Sequence, residues 1–208
     1  MGKKTRRKSR AIESGSSLIR AILDPTIGLI LFLVGMYAYL STLAPTVLEG
    51  DAALFQYTPY VLGVTYPTGY PFYILLGKLW LWLLPIGEIA WRMNLLSALC
   101  AALALPLLYG AIRRLYAPRS PGNPAVRVAA IAAVLIFATL PTFWRWSTEA
   151  KIYTLNMLLF SSVLYTLTRA LNLPSESDRV SSPKSMLLLP TNRQFSMVTW
   201  YQRWPLVL

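Results

Sequence analysis

Glu49 and Asp51 flank Gly50 in a short polar stretch between apolar runs. Paired carboxylates of this kind could bind a cation or take up the proton of an acceptor hydroxyl, and the glycine lets the backbone turn tightly between them. The same residues also suit a solvated loop in which Asp51 caps a helix beginning at Ala52. The next group is Tyr66-Pro67-Thr68-Gly69-Tyr70-Pro71. Its two prolines remove donors and fix φ, which predicts a rigid turn followed by a helix with Pro71 near its first position. Tyr66 and Tyr70 either line a site with hydroxyls and ring faces or belong to an interfacial aromatic belt.

A third group runs from Trp144 to Tyr153 and carries Arg145, Glu149 and Lys151 at the edge of an apolar run. Two cations at such a boundary suit a lipid phosphate, although Trp and Arg also serve as plain interfacial anchors. Asn156, inside the following apolar run, reads as helix–helix glue. Arg92 reads as a cation that snorkels to the nearer surface. The sequence has no histidine, and its one cysteine, Cys100, lies in an apolar run. Histidine bases, Ser-His-Asp triads and Cys- or His-based zinc sites are therefore excluded, and no metal is expected. Acid–base chemistry falls to carboxylates, Lys or Tyr.

The elements that must position these groups are apolar. Of 208 residues, 55% are hydrophobic and 13% charged, against about 25% charged in soluble domains. A bilayer accounts for the deficit. The net charge of +12 would suit nucleic acid, but its basic residues cluster at the N-terminus and in the Arg113–Arg127 loop, beside apolar runs. That is the pattern of the positive-inside rule, with contacts to anionic membrane lipids, and no nucleic-acid partner is expected.

Thr26–Ala44, Ile89–Ile112, Val128–Phe143 and Ile152–Leu167 are the predicted spans. The first reads as a retained signal anchor, with Thr42 and Ala44 a weak cleavage signal. The apolar stretch Phe72–Leu84 is short and interrupted by Lys78, which predicts an interfacial or re-entrant segment. With four spans, residues 1–24 and the Arg113–Arg127 loop are cytoplasmic, and residues 45–88 form the first outer loop. The expected architecture is an all-α membrane domain over 25–170, with a basic N-terminus ahead of it, disordered or lying on the surface. A polar, disordered tail over 171–208 follows, read as the mark of a truncated or frame-shifted gene.

Four stretches carry a resemblance: Gly50-Asp51-Ala52-Ala53, the turn Pro67 to Pro71, Trp91-Arg92-Met93-Asn94-Leu95-Leu96-Ser97-Ala98, and Glu149 to Asn156. In this order the chain resembles the multi-spanning, transmembrane protein 260-like family related to protein O-mannosyltransferases, within the GT-C glycosyltransferases. The resemblance covers roughly residues 25–170. It implies a sugar donor on a polyprenyl phosphate, used at the outer face of a prokaryotic plasma membrane. The acceptor, a protein or a glycan, stays open, and no cofactor is implied. Asp51 matches the acidic residue that acts at the acceptor. The substrate site would draw on Glu49, Tyr66, Tyr70, Arg92, Arg145, Glu149, Lys151, Tyr153 and Asn156, with Arg92, Lys151 or Arg145 compensating the departing phosphate. Where relatives carry a Glu after the Gly-Asp pair, Leu54 stands here, and Tyr66 takes the place of a His. Family members are longer, so the chain reads as an N-terminal part with little activity of its own. The rival readings are a non-catalytic membrane protein binding lipid or a partner subunit, and a transporter-like bundle.

Overall fold

The computed structural model describes residues 2–116 and 123–171, with side chains from Ile22 onward. The described residues form seven helices: α1 (Gly2–Ser41), α2 (Asp51–Val61), α3 (Pro71–Leu83), α4 (Ile89–Tyr116), α5 (Pro124–Thr139), α6 (Pro141–Thr148) and α7 (Ile152–Leu171). There is no strand among them, only an isolated bridge between Thr65 and Gly69. The chain is an all-α membrane protein. Residues 171–208 were expected to be a polar tail, and beyond Leu171 they lie outside the described residues, as does Arg119.

α4 is the spine. Ala98, Ala101, Ala102, Ala104 and Ala111 are fully buried along it, and such small residues let neighbouring helices approach closely. α1 packs on one side and α7 on another, while α2 and α3 form a hairpin beside its N-terminal half. Gly77 makes that hairpin possible. A Cβ there would stand 2.7 Å from the Pro59 Cβ and 2.9 Å from the Met93 Cε, so a side chain would push α3 off both neighbours.

The spans differ from those expected in three places. The first apolar span runs Ile22–Ser41, earlier than Thr26–Ala44. It includes Asp24, whose charge is matched by Arg127 Nε at 2.9 Å and Arg113 Nη2 at 3.5 Å. The backbone ahead of it is helical from Gly2. The second difference is a break in Val128–Phe143, between α5 and α6, which meet at a bend of 65°. Pro141 has no N–H to continue the ladder, and Leu140 before it is extended at φ −57° and ψ 130°, as a residue preceding proline prefers.

The third is the count. Among the described residues two helices, Ile22–Ser41 and Ile89–Tyr116, are long and apolar enough to cross a membrane, or three if the bent pair is one span. Four were expected. α7 has the length, at 20 residues, but its apolar character is diluted by hydroxyls. The hydroxyls of Ser161, Ser162 and Thr166 donate to carbonyls one turn back, at 2.6, 2.7 and 2.9 Å, which satisfies them without water. α3, at 13 residues, falls short of a span, in keeping with the expected interfacial segment.

Candidate functional site

The site is built on the N-terminal end of α4, from residues that the sequence reading largely passed over. Asn94 is fully buried. Its Oδ1 accepts from Gln56 Nε2 at 2.9 Å and from the Ala150 N–H at 2.8 Å, and its Nδ2 donates to the Ala44 carbonyl at 2.8 Å. Gln56, also buried, accepts the Leu48 N–H at 3.1 Å. One turn along α4, Ser97 Oγ accepts the Lys151 N–H at 3.2 Å and faces the Lys151 carbonyl at 3.4 Å. The Ala44 N–H donates to the Thr148 carbonyl at 3.1 Å. Two amides and a hydroxyl thus hold the exit of α1, the start of α2 and the α6–α7 connection in one place. The signal was legible only as polar residues within or beside apolar runs, which does not reveal their partners.

On this frame three distant segments meet. Asp51 opens α2, where a carboxylate is favoured by the helix dipole. Gly50 before it is the N-cap, at φ 66° and ψ −140°, so the helix begins one residue earlier than the expected Ala52 start and Asp51 does not act as the cap. Lys151 Nζ stands 3.9 Å from Asp51 Oδ2, and the Tyr66 hydroxyl donates to Asp51 Oδ1. The Asp51 side chain is 56% exposed and that of Lys151 only 14%. The carboxylate is open to an incoming molecule while the lysine stem is fixed. Donating to a carboxylate, Tyr66 has its phenol pushed above the ordinary tyrosine value, first by that hydrogen bond and then by desolvation and the neighbouring charge. It therefore stays a neutral donor.

The proline turn supplies the aromatic wall. Tyr66 and Tyr70 both sit in the left-handed region, at φ 61° and 43°, a conformation costing about 1–2 kcal/mol for a side chain with a Cβ. Pro71 is the first residue of α3, as expected. The Tyr66 and Tyr70 rings meet edge to face at 6.5 Å, and both tilt against Phe55, at 6.3 and 5.7 Å. Across the site, Tyr153 stacks on Trp146 at 4.5 Å.

The other candidates lie apart from this cluster. Arg92 Nη1 donates to the Leu81 and Leu84 carbonyls at 3.0 and 2.9 Å, and Trp80 Nε1 returns a bond to the Arg92 carbonyl at 2.7 Å. It closes the C-terminus of α3 instead of snorkelling outward. Arg145 pairs with Glu149 at 3.0 Å, its own side chain 75% exposed. Glu49 and Asn156 are exposed, and the helix-joining role expected of Asn156 falls to Asn94. No group of three or more Asp, Glu, Cys or His among the described residues could hold a metal.

The arrangement offers an open carboxylate with one hydroxyl donor, one fixed cation and an aromatic wall, groups able to take up the proton of a hydroxyl. Known proteins agree on kinship. The family model described as protein O-mannosyl-transferase TMEM260 N-terminal domain matches residues 51–191. The mouse (Mus musculus) protein O-mannosyl-transferase TMEM260 is 35% identical over 127 residues, 61% of this chain and 17% of its own length. The chain thus spans about one sixth of that relative. No solved structure matches it. With more than half of its length matched and the Asp51 segment inside the match, the chain belongs to the protein O-mannosyl-transferase TMEM260 N-terminal domain family.

Proposed function

We propose that this chain is the N-terminal part of a membrane glycosyltransferase, O-mannosyltransferase-like, that uses a polyprenyl-phosphate sugar at the outer face. One observation carries the reading: the Asp51 carboxylate is exposed yet oriented by Tyr66 and Lys151 from two separate segments. In the step, the acceptor hydroxyl oxygen attacks the anomeric carbon and its proton passes to Asp51. The bond from that carbon to the phosphate oxygen breaks, and polyprenyl phosphate leaves with the electron pair. Tyr66 holds one carboxylate oxygen while lone pairs on the other stay open to the acceptor. Lys151 offers a cation to the departing phosphate, as fixed charges do at any developing anion. Arg92 stays with α3.

The test is transfer of labelled mannose from polyprenyl phosphate to a hydroxyl-bearing peptide in membranes. It is run with this chain alone and with the longest product of its gene. Little transfer is expected from the 208-residue chain. In the longer product, Asp51→Asn removes the charge at nearly constant shape and should lower the rate by about 10²–10⁴-fold. Full activity in Asp51→Asn would remove Asp51 from the mechanism, and full activity of the chain alone would show that it is no mere part.

A further inference from the structure

The opposite end of the bundle carries a second polar cluster that the transfer chemistry does not use. Arg113 lies on α4 nineteen residues beyond Asn94, which is roughly 28 Å along the helix at about 1.5 Å per residue. There Asp24 is met by Arg127 at 2.9 Å, Arg113 at 3.5 Å and the Tyr109 hydroxyl at 3.1 Å. Among the described residues, two guanidinium groups face this one carboxylate. The Arg113 side chain is only 10% exposed, yet among the described residues its Nε and Nη1 have no acceptor, nor has Arg127 Nη2. Buried charged donors left unbonded are costly, and a structure that keeps them has an acceptor to offer them.

Beside them opens a cavity of about 750 Å³ between α1, α4 and α7, to which Asp24, Arg113 and Arg114 also contribute. Its apolar walls come from Gly28, Leu29, Phe32, Leu103 and Leu107. We infer that this cavity binds one anionic phospholipid, its phosphate on Arg113 and an acyl chain along the α1–α4 walls. Charge selects an anion, the unbonded N–H groups select an oxygen acceptor, and the apolar groove on membrane-crossing helices selects a lipid over a free anion. A phosphate there would relieve the looser of the two Asp24 ion pairs, leaving Arg127 to hold that carboxylate. The assignment does not depend on the role of Asp51.

The experiment is native mass spectrometry of the full chain in detergent, titrated with phosphatidylglycerol or with phosphatidylcholine. One arm adds millimolar inorganic phosphate. Phosphatidylglycerol should bind at least fivefold more tightly, the factor that one basic residue near an anionic headgroup typically supplies. Arg113→Gln should remove that preference and Arg113→Lys should restore part of it. Leu29→Trp, which fills the groove from a half-exposed wall position without touching a charge, should lower occupancy by both lipids. It also carries the test if Arg113→Gln fails to fold, as judged by gel filtration. Equal affinity for the two lipids would overturn the assignment, as would a preference that survives Arg113→Gln or an occupancy unchanged by Leu29→Trp. Displacement of the lipid by inorganic phosphate would make the site one for a free anion and sink the lipid assignment.

Discussion

The Asn94 side chain accepts the backbone N–H of Ala150 at 2.8 Å, across 56 residues of sequence. The same oxygen accepts a hydrogen bond from Gln56, and the amide nitrogen donates to the Ala44 carbonyl. Removing it strands an N–H, a carbonyl and a buried amide at once. Each buried polar group left without a partner costs about 1–3 kcal/mol. Asn94→Leu should therefore destabilise the protein by about 3 kcal/mol or more, measured as loss of the folded fraction in graded detergent denaturation. A change below about 1 kcal/mol would mean that water or a shifted backbone replaces the amide.

Tyr66 makes a pH prediction with a definite sign. Its phenol is raised in the folded chain because it donates to the Asp51 carboxylate. The contact therefore contributes fully below about pH 10, the unfolded tyrosine value, and is lost as pH rises through the higher folded value. The tyrosinate absorbance of wild type minus that of Tyr66→Phe should titrate with a midpoint above 10. A midpoint at or below 10 would show that the hydrogen bond does not form in solution.

Orientation can be read by labelling. Thr68 and Asn123 are both exposed and flank the α4 span. In a Cys100→Ala background, Thr68→Cys should react with an impermeant maleimide added to intact cells, and Asn123→Cys should react only after lysis. External labelling of Asn123→Cys would place the arginine-rich loop outside and reverse the proposed face of the Asp51 site.

The membrane character was legible because hydropathy and charge act locally: Ile89–Ile112 needs no partner to be recognised as a span. The proline turn was legible for the same reason, since the fixed φ and missing N–H of Pro71 favour the first position of a helix. Pro141 carried the same kind of signal and was read through, so the 65° bend between α5 and α6 appeared only in three dimensions. The chemistry of Asp51, Tyr66 and Lys151 was named from motif order, but their convergence was not, because it depends on Asn94 and Ser97. A polar residue inside an apolar run announces that it has a partner without saying which. Arg92 shows the same limit. Its type suited a phosphate, whereas its bonds go to the end of α3.

The span of sequence tied together by Asn94 also bears on how the protein is made. Ala44 leaves the ribosome about a hundred residues before Thr148, its partner through the Ala44 N–H. At roughly 5–20 residues per second that is a wait of about 5–20 s. During that interval Asn94 and Gln56 have each other but not Ala150, so the α2–α3 hairpin is anchored at one edge only. Lys151 reaches Asp51 only after the α6–α7 connection has been threaded and docked. The order of synthesis thus lets the candidate site assemble only after the α6–α7 connection has been made. Nascent chains arrested with residue 145 as the last to emerge should leave the 45–70 segment open to protease, and chains arrested with residue 175 emerged should protect it. Equal protection of the two would show that the hairpin seats itself without the α6–α7 connection.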